Sequence, residues 1–341
     1  MNKIIAFIKL IRLPNLLIIV LTQYAIRYGI IFTILNSVSD DVEVNLLLSN
    51  FDFFLLCLST VMIAAAGYII NDYFDVRVDR VNRPTKIIVG KYLKRRVAMG
   101  SHVVINSIAI IIAGYLAYKV GDWKLIFIQI LAAGALWYYS VLFKKQVIIG
   151  NIIVALLAAL VPFVAGLYEL LLQHTNLENT VNNLLFFLEP GTPFEEINYF
   201  ITIVLRNIMY WVLGFSLFAF MSTMIREIIK DIEDYEGDKK YFSNTLPVVY
   251  GKQKAKIVAQ VIAIVMIACI GFLQYTQLQA KDMASFMYFL FTIQVPLVYV
   301  IYKLQLAKEK IDYTKLSRVM KLIMLMGIAY TLFFYYSTTQ L

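Results

Sequence analysis

Two stretches of this chain carry carboxylates at the same spacing. Residues 71–79 read Asn-Asp-Tyr-Phe-Asp-Val-Arg-Val-Asp, and residues 231–238 read Asp-Ile-Glu-Asp-Tyr-Glu-Gly-Asp. Asp72, Asp75 and Asp79 match Asp231, Asp234 and Asp238, each pair 159 residues apart. Steps of three and four put three carboxylates on one face of a helix. Six such charges gathered together repel one another unless a cation sits among them. Oxygen-only ligands select a hard ion, and Mg2+ in particular is shared between carboxylates and substrate phosphates. The pattern predicts a paired Mg2+–diphosphate site. Asn71 adds a neutral oxygen ligand, and Glu227 lies on the same face as Asp231, whereas Glu233 and Glu236 lie off it and are expected to be solvated. One such motif reads equally well as a solvated helix end. Two copies on one side of a membrane argue for a shared site.

The elements that must position these acids are membrane helices. The chain has 341 residues, is 61% hydrophobic and only 16% charged, with a mean hydropathy of +0.74. A soluble domain of this length does not hide so much apolar surface. A span needs roughly 20 apolar residues. Nine segments qualify, at about 15–35, 51–71, 100–118, 123–143, 147–168, 200–225, 255–275, 283–303 and 318–337. The expected fold is all-α: a polytopic membrane protein of nine transmembrane helices, one domain over residues 1–341. The repeated motif suggests two four-helix halves plus one helix. Lys3, Lys9 and Arg12 precede the first apolar run without a small-residue cleavage site after it, as in a retained first helix.

Charge orients the spans. With the N-terminus cytoplasmic, the inner side collects 26 of the 31 Lys and Arg residues, as the positive-inside rule expects. The net charge of +9 is thereby spent on topology, and no nucleic acid partner is implied. Both acidic motifs fall on the cytoplasmic side, in the cap loops 72–99 and 226–254, and the C-terminus is external. The loop at about 169–199 is external and acidic, with a short amphipathic element expected at Val181–Leu188. Cys57 and Cys269 lie in separate apolar runs and imply no disulfide framework.

Diphosphate needs cations beyond Mg2+, because charge builds on the leaving group as its C–O bond breaks. Arg83, in a rigid Arg83-Pro84 step, and Lys144, after Tyr138-Tyr139-Ser140, are the best placed. An anionic acceptor head would meet Arg12 or Arg226. Tyr68, Tyr138 and Tyr139 are candidates to shield an allylic cation with their π faces. His102 and His174 lie outside the motifs, so no histidine base is expected.

At these residues the sequence resembles the UbiA superfamily of intramembrane prenyltransferases. The resemblance rests on Asn71-Asp72-x-x-Asp75-x-x-x-Asp79 with Arg83-Pro84, on Tyr139-Ser140 with Lys144, and on Arg226-Glu227-x-x-Lys230-Asp231-x-x-Asp234-x-x-x-Asp238 followed by Thr245-Leu246-Pro247 and Gly251. The opening Arg12-Leu13-Pro14-Asn15 fits too. It implies that Asn71, Asp75, Asp79, Asp234 and Asp238 hold Mg2+ with the diphosphate, that Asp72 and Asp231 complete the shell, and that the nine helices surround a central cavity that is capped by the two cytoplasmic loops and opens sideways into membrane lipid; two Mg2+ ions are expected. The second motif looks most like that of the digeranylgeranylglyceryl phosphate synthases, which transfer a geranylgeranyl group to the hydroxyl of a prenylated glycerol phosphate. Phe242 departs from the glycine often found there.

The expected function is therefore Mg2+-dependent transfer of a prenyl group from a polyprenyl diphosphate donor to a lipid acceptor. An aromatic acceptor, as in quinone synthesis, is the alternative. A Mg2+ transporter would need ionisable residues across the whole membrane, and the half away from the motifs reads as nearly free of charge.

Overall fold

The computed structural model describes residues 2–37, 46–178, 181 and 193–339. Among them it is mostly helical, with no strand beyond an isolated bridge between Val89 and Leu93. A short α1 (Lys3–Leu10) precedes α2 (Leu13–Asn36). Then come α3 (Asn50–Asn82), α4 (Arg95–Val120), α5 (Trp123–Val141) and α6 (Ile149–Thr175). The second part holds α7 (Phe194–Glu233), the short α8 (Tyr235–Lys240) and α9 (Leu246–Tyr250). It closes with α10 (Lys252–Gln279), α11 (Met283–Leu306) and α12 (Lys310–Thr339). Nine of these helices are long and apolar enough to cross a membrane.

The two helices that carry the acids are the two longest, with 33 residues in α3 and 40 in α7. At 1.5 Å per residue they run roughly 50 and 60 Å, against about 30 Å of hydrocarbon. Their C-terminal turns therefore project beyond the apolar layer and carry the motifs with them. This corrects the cap loops: 72–82 and 226–233 are helix, not loop. Helix geometry does not stop where hydropathy falls, because charged residues continue a helix as long as their side chains find partners. Ser49 starts α3 by accepting from the Asp52 amide at 3.0 Å. Pro84 ends it, since the residue before a proline is pushed out of the helical region, and Arg83 there sits at φ −147°.

Each long helix is a packing hub. α3 packs on α4 and α5, and α7 packs on α6, α10 and α12. The buried core has two main bodies. One is built around Ile30, Phe53, Tyr168 and Ile208, the other around Ile225, Ile229, Met266 and Met320.

The end away from the motifs also departs from expectation. The loop at 169–199 is largely helix in its described part, because α6 runs to Thr175 and α7 starts at Phe194. The element expected at Val181–Leu188 lies outside the described residues except Val181. Glu169 is buried, not solvated, and lies 3.5 Å from the equally buried Arg27. It accepts hydrogen bonds from the Leu47 amide at 2.6 Å and the Leu48 amide at 3.2 Å. A lone buried charge is very costly, but a paired and hydrogen-bonded one is tolerated. This pair ties the segment before α3 to α2 and α6, so the half away from the motifs does hold charge. Neither residue lines the cavity.

Candidate active site

A cavity of about 1190 Å3 opens between α2, α3, α5, α6, α7 and α12. The sequence-predicted ligands and cations all line it: Asn71 and the three acids of α3, Arg12, Arg83, Lys144, Arg226, and Asp231, Asp234 and Asp238, together with Tyr68 and Tyr139. The mouth is polar. The depth is apolar, with Ile63, Leu136, Val161, Phe218 and Leu325 on its walls. Small-molecule clefts span roughly 300–1,000 Å3, so this one suits a long chain or two substrates.

The carboxylates are held by the chain's own donors. Arg12 donates to Asp72 at 2.8 Å and lies over the Tyr68 ring, 4.8 Å from its centre. Arg12 is itself at φ +53°, a left-handed conformation costly for a side chain of this kind. It marks the kink between α1 and α2 that turns the guanidinium towards α3. Lys144 is paired with Asp75 and also donates to the Asn71 Oδ1 at 3.3 Å, while the Asn71 amide donates to Asp75 at 2.7 Å. Burial alone lowers the Lys144 pKa, but Asp75 and its neighbours outweigh that, and the ammonium is held above its ordinary value. Gly150 lets α6 start beneath this lysine, since a Cβ there would lie 2.9 Å from the Phe143 carbonyl oxygen.

The second motif is not one helical face. α7 stops at Glu233, Asp234 caps it, and Asp238 sits on the separate α8. The expectation of three carboxylates along one helix therefore holds for α3 and fails here. Asp231 accepts from the Asn151 amide of α6 at 2.8 Å. Arg83, from beyond the end of α3, reaches Asp234 at 2.6 Å. Asp238 is buried, accepts from the Thr245 hydroxyl at 3.4 Å, and burial pushes its pKa up to about 6.

α8 joins the two motifs. The Gly237 amide donates to the Asn82 Oδ1 at 3.0 Å, and a Cβ on Gly237 would meet that oxygen at 2.2 Å. Only glycine permits this approach. The loop behind α8 is held in turn, with the Asn244 amide donating to the Lys145 carbonyl at 2.9 Å. Phe242 has φ +56° and is 89% exposed. Glycine adopts that left-handed backbone without strain, so Phe242 bears a conformational cost there.

The UbiA prenyltransferase family model matches residues 42–325. The chain belongs to that family. A digeranylgeranylglyceryl phosphate synthase from Methanosphaera stadtmanae is 29% identical over 281 residues, covering 82% of this chain and 86% of that protein. Another, from Methanothermobacter thermautotrophicus, is 30% identical over 216 residues, 63% of this chain and 62% of that protein. A solved UbiA homologue from Archaeoglobus fulgidus, bound to DMAPP and Mg2+, shares the fold with a TM-score of 0.57 at 17% identity, covering 95% of this chain and 98% of its own. A digeranylgeranylglyceryl phosphate synthase structure gives a TM-score of 0.57 at 21% identity, covering all of both chains. This UbiA chain is thus a prenyltransferase and an integral, multi-pass membrane protein.

Several functional neighbours carried no motif signal. Asn151, Asn82 and Lys321 contact the acids or the cavity, and only the polarity of Asn151 and Lys321 within apolar runs hinted at them. Tyr138, expected at the cavity, is 54% exposed on the outer surface and does not line it. One residue along a helix turns by about 100°, so Tyr139 faces in and Tyr138 faces out. Glu236 is exposed as expected, whereas Glu233 is half-buried and accepts from the Thr314 hydroxyl at 3.0 Å. His102 is buried against the Ala66 carbonyl at 2.9 Å, away from the cavity.

The donor set fits Mg2+. All the candidate ligands offer oxygen, the acids gather at helix C-termini whose dipoles attract cations, and the Asp234 Oδ1 is buried without a partner. Among the described residues no three acidic, histidine or cysteine side chains yet converge on one point. Arg83 and Lys144 hold Asp234 and Asp75 instead, so an ion must take those oxygens from the two cations.

Proposed function

We propose that this prenyltransferase moves a geranylgeranyl group from geranylgeranyl diphosphate to the hydroxyl of geranylgeranylglyceryl phosphate, forming the second ether of an ether lipid. The observation that carries the reading is one cavity with an acid-rich mouth, an apolar depth and cations beside both. The curated relatives named above support the choice of acceptor. In this reading Asn71, Asp75, Asp79, Asp234 and Asp238 hold Mg2+, as two ions, with Asp72 and Asp231 completing the shell. Bound there, Mg2+ supplies positive charge to the diphosphate as the C–O bond breaks. The A. fulgidus homologue with DMAPP and Mg2+ is consistent with that assignment.

The chain's own residues do the rest. Arg83 and Lys144, freed from Asp234 and Asp75, donate hydrogen bonds to diphosphate oxygens and stabilise the leaving group. The apolar walls keep water from the allylic carbon, which gains cationic character as the bond lengthens. Tyr68 and Tyr139 offer their π faces to that charge. The acceptor hydroxyl oxygen then bonds to the allylic carbon as that carbon's bond to the diphosphate breaks, and the hydroxyl proton passes to the released diphosphate. The N-terminus and the site face the cytoplasm and the C-terminus faces outward, a placement supported by the distribution of Lys and Arg.

A competition assay tests the reading. Purified protein in lipid receives labelled geranylgeranyl diphosphate, Mg2+, geranylgeranylglyceryl phosphate and 4-hydroxybenzoate. Label in a diether phosphate is the expected result. Label in a prenylated benzoate would overturn the acceptor and leave the prenyl transfer intact.

A further inference from the structure

The cavity holds charge that the diphosphate site does not use. Lys321 lies within the apolar stretch of α12, where an ionisable residue is costly and rarely idle. Its Nζ donates to the Asn15 Oδ1 at 3.0 Å, and among the described residues it makes no ion pair. Asn15 in turn donates to the Tyr68 hydroxyl at 3.4 Å, which joins Lys321 to the Arg12 corner of the cavity. Arg226 lines the same cavity as Lys321. Arg226 and Lys230 both pair with Glu227, each at 2.9 Å. Arg226 and Lys230 thus share one carboxylate, while Lys321 has a neutral partner only. Arg12 does not redress the balance, because Asp72 already neutralises it. The acids of the two motifs outnumber Arg83 and Lys144, so the cavity has an acid-rich pole and a cation-rich pole.

We propose that Lys321, with Arg226 lining the same cavity and Asn15 orienting it, forms a second anion subsite that receives the phosphate of the acceptor. This rests on the reading above that the acceptor carries a phosphate. A phosphomonoester bears close to two negative charges and three acceptor oxygens, which the Lys321 ammonium and the Arg226 guanidinium are suited to receive. Asn15 gives Lys321 a neutral partner that fixes its direction without cancelling its charge. The subsite would hold the acceptor by its head, apart from the diphosphate, with its hydroxyl free to reach the donor.

The test compares geranylgeranylglyceryl phosphate with its dephosphorylated alcohol as acceptors, using purified protein in lipid with Mg2+ and geranylgeranyl diphosphate. Wild type should favour the phosphate. Lys321→Gln keeps a donor for Asn15 but removes the charge. It should raise KM for the phosphorylated acceptor roughly tenfold to a hundredfold, the loss expected when a hydrogen bond to a charged group is removed. KM for the donor and for the alcohol should stay unchanged, so that the preference collapses, and Lys321→Arg should restore most of it. An unchanged acceptor KM in Lys321→Gln, or an equal loss for both acceptors, would overturn the subsite. Transfer by wild type to neither acceptor would instead overturn the acceptor reading, and the subsite with it.

Discussion

The two acidic motifs have the same spacing in sequence and different structures in space. The first is three carboxylates on one unbroken face of α3, each within the helix. The second is split, with Asp231 in α7, Asp234 at its cap and Asp238 on α8. The first is a rigid wall, fixed by the packing of α3 on α4 and α5. The second is a jointed one, and its shape depends on contacts with the first, through Arg83–Asp234 and Gly237–Asn82. A duplicated pattern can thus yield a scaffold and a closure that completes it. Substitutions on the α3 side should damage ligands alone, and those on the α8 side should also loosen how the halves meet.

The largest expected effects come from the acids themselves. Asp75→Ala and Asp234→Ala should each lower turnover on the order of 10²–10³-fold while the protein still inserts and remains folded. Near-normal rates in both would break the idea of a shared site. Next comes Gly237→Ala, whose new Cβ has no room beside Asn82. We expect it to cost about 1–3 kcal/mol of stability, the usual range for overpacking, and to weaken binding of Mg2+ with geranylgeranyl diphosphate. A thermal melt and a binding isotherm would show both, and an Asn82→Ala background should relieve part of the clash.

A milder contrast is in pH. Asp238 is held near pKa 6, above its ordinary 3.8, so between those values the folded protein keeps a proton that the unfolded chain has lost. Its contribution to metal-free stability is present below about pH 4 and lost as pH rises through about 6. Mg2+ binds the ionised form, so its affinity should fall as pH drops below about 6. Melting curves with and without Mg2+ at pH 5.5 and pH 8 would show a larger Mg2+-induced gain at pH 8. The smallest effect is at Phe242, where glycine relieves a left-handed backbone and costs little packing. Phe242→Gly should leave turnover within about twofold and raise stability by up to about 1 kcal/mol, measured by denaturation in detergent. A strong loss would mean that this exposed ring makes a contact the reaction needs.

Much of this was legible in the residues. The common offset of the acids, the nine apolar runs and the one-sided Lys and Arg pointed to the fold class and to both motifs on one face, and the resemblance added the cavity between them. Arg83 and Lys144 were legible because leaving-group chemistry asks for cations next to the acids. What stayed hidden depends on three-dimensional partners. Hydropathy marks the apolar layer, so it ended α3 and α7 too early. Spacing alone could not show that α7 stops at Glu233, nor that Gly237 just beyond the break meets Asn82 across 155 residues. The pairing of Glu169 was not visible because its partner, Arg27, lies on a different helix. Tyr138 and Tyr139 are adjacent in sequence and face opposite ways. Lys321 looked like one more cytoplasmic charge until its place on the cavity wall was seen.

The central claim is that both motifs build one diphosphate site. It is tested most directly by a double-mutant cycle on Mg2+-dependent binding of geranylgeranyl diphosphate to wild type, Asp75→Ala, Asp234→Ala and the double variant. One shared site predicts strong non-additivity, with either single change losing nearly as much affinity as both together. Additive losses, or half the binding stoichiometry in each single variant, would mean that the two motifs bind independently and would contradict the account.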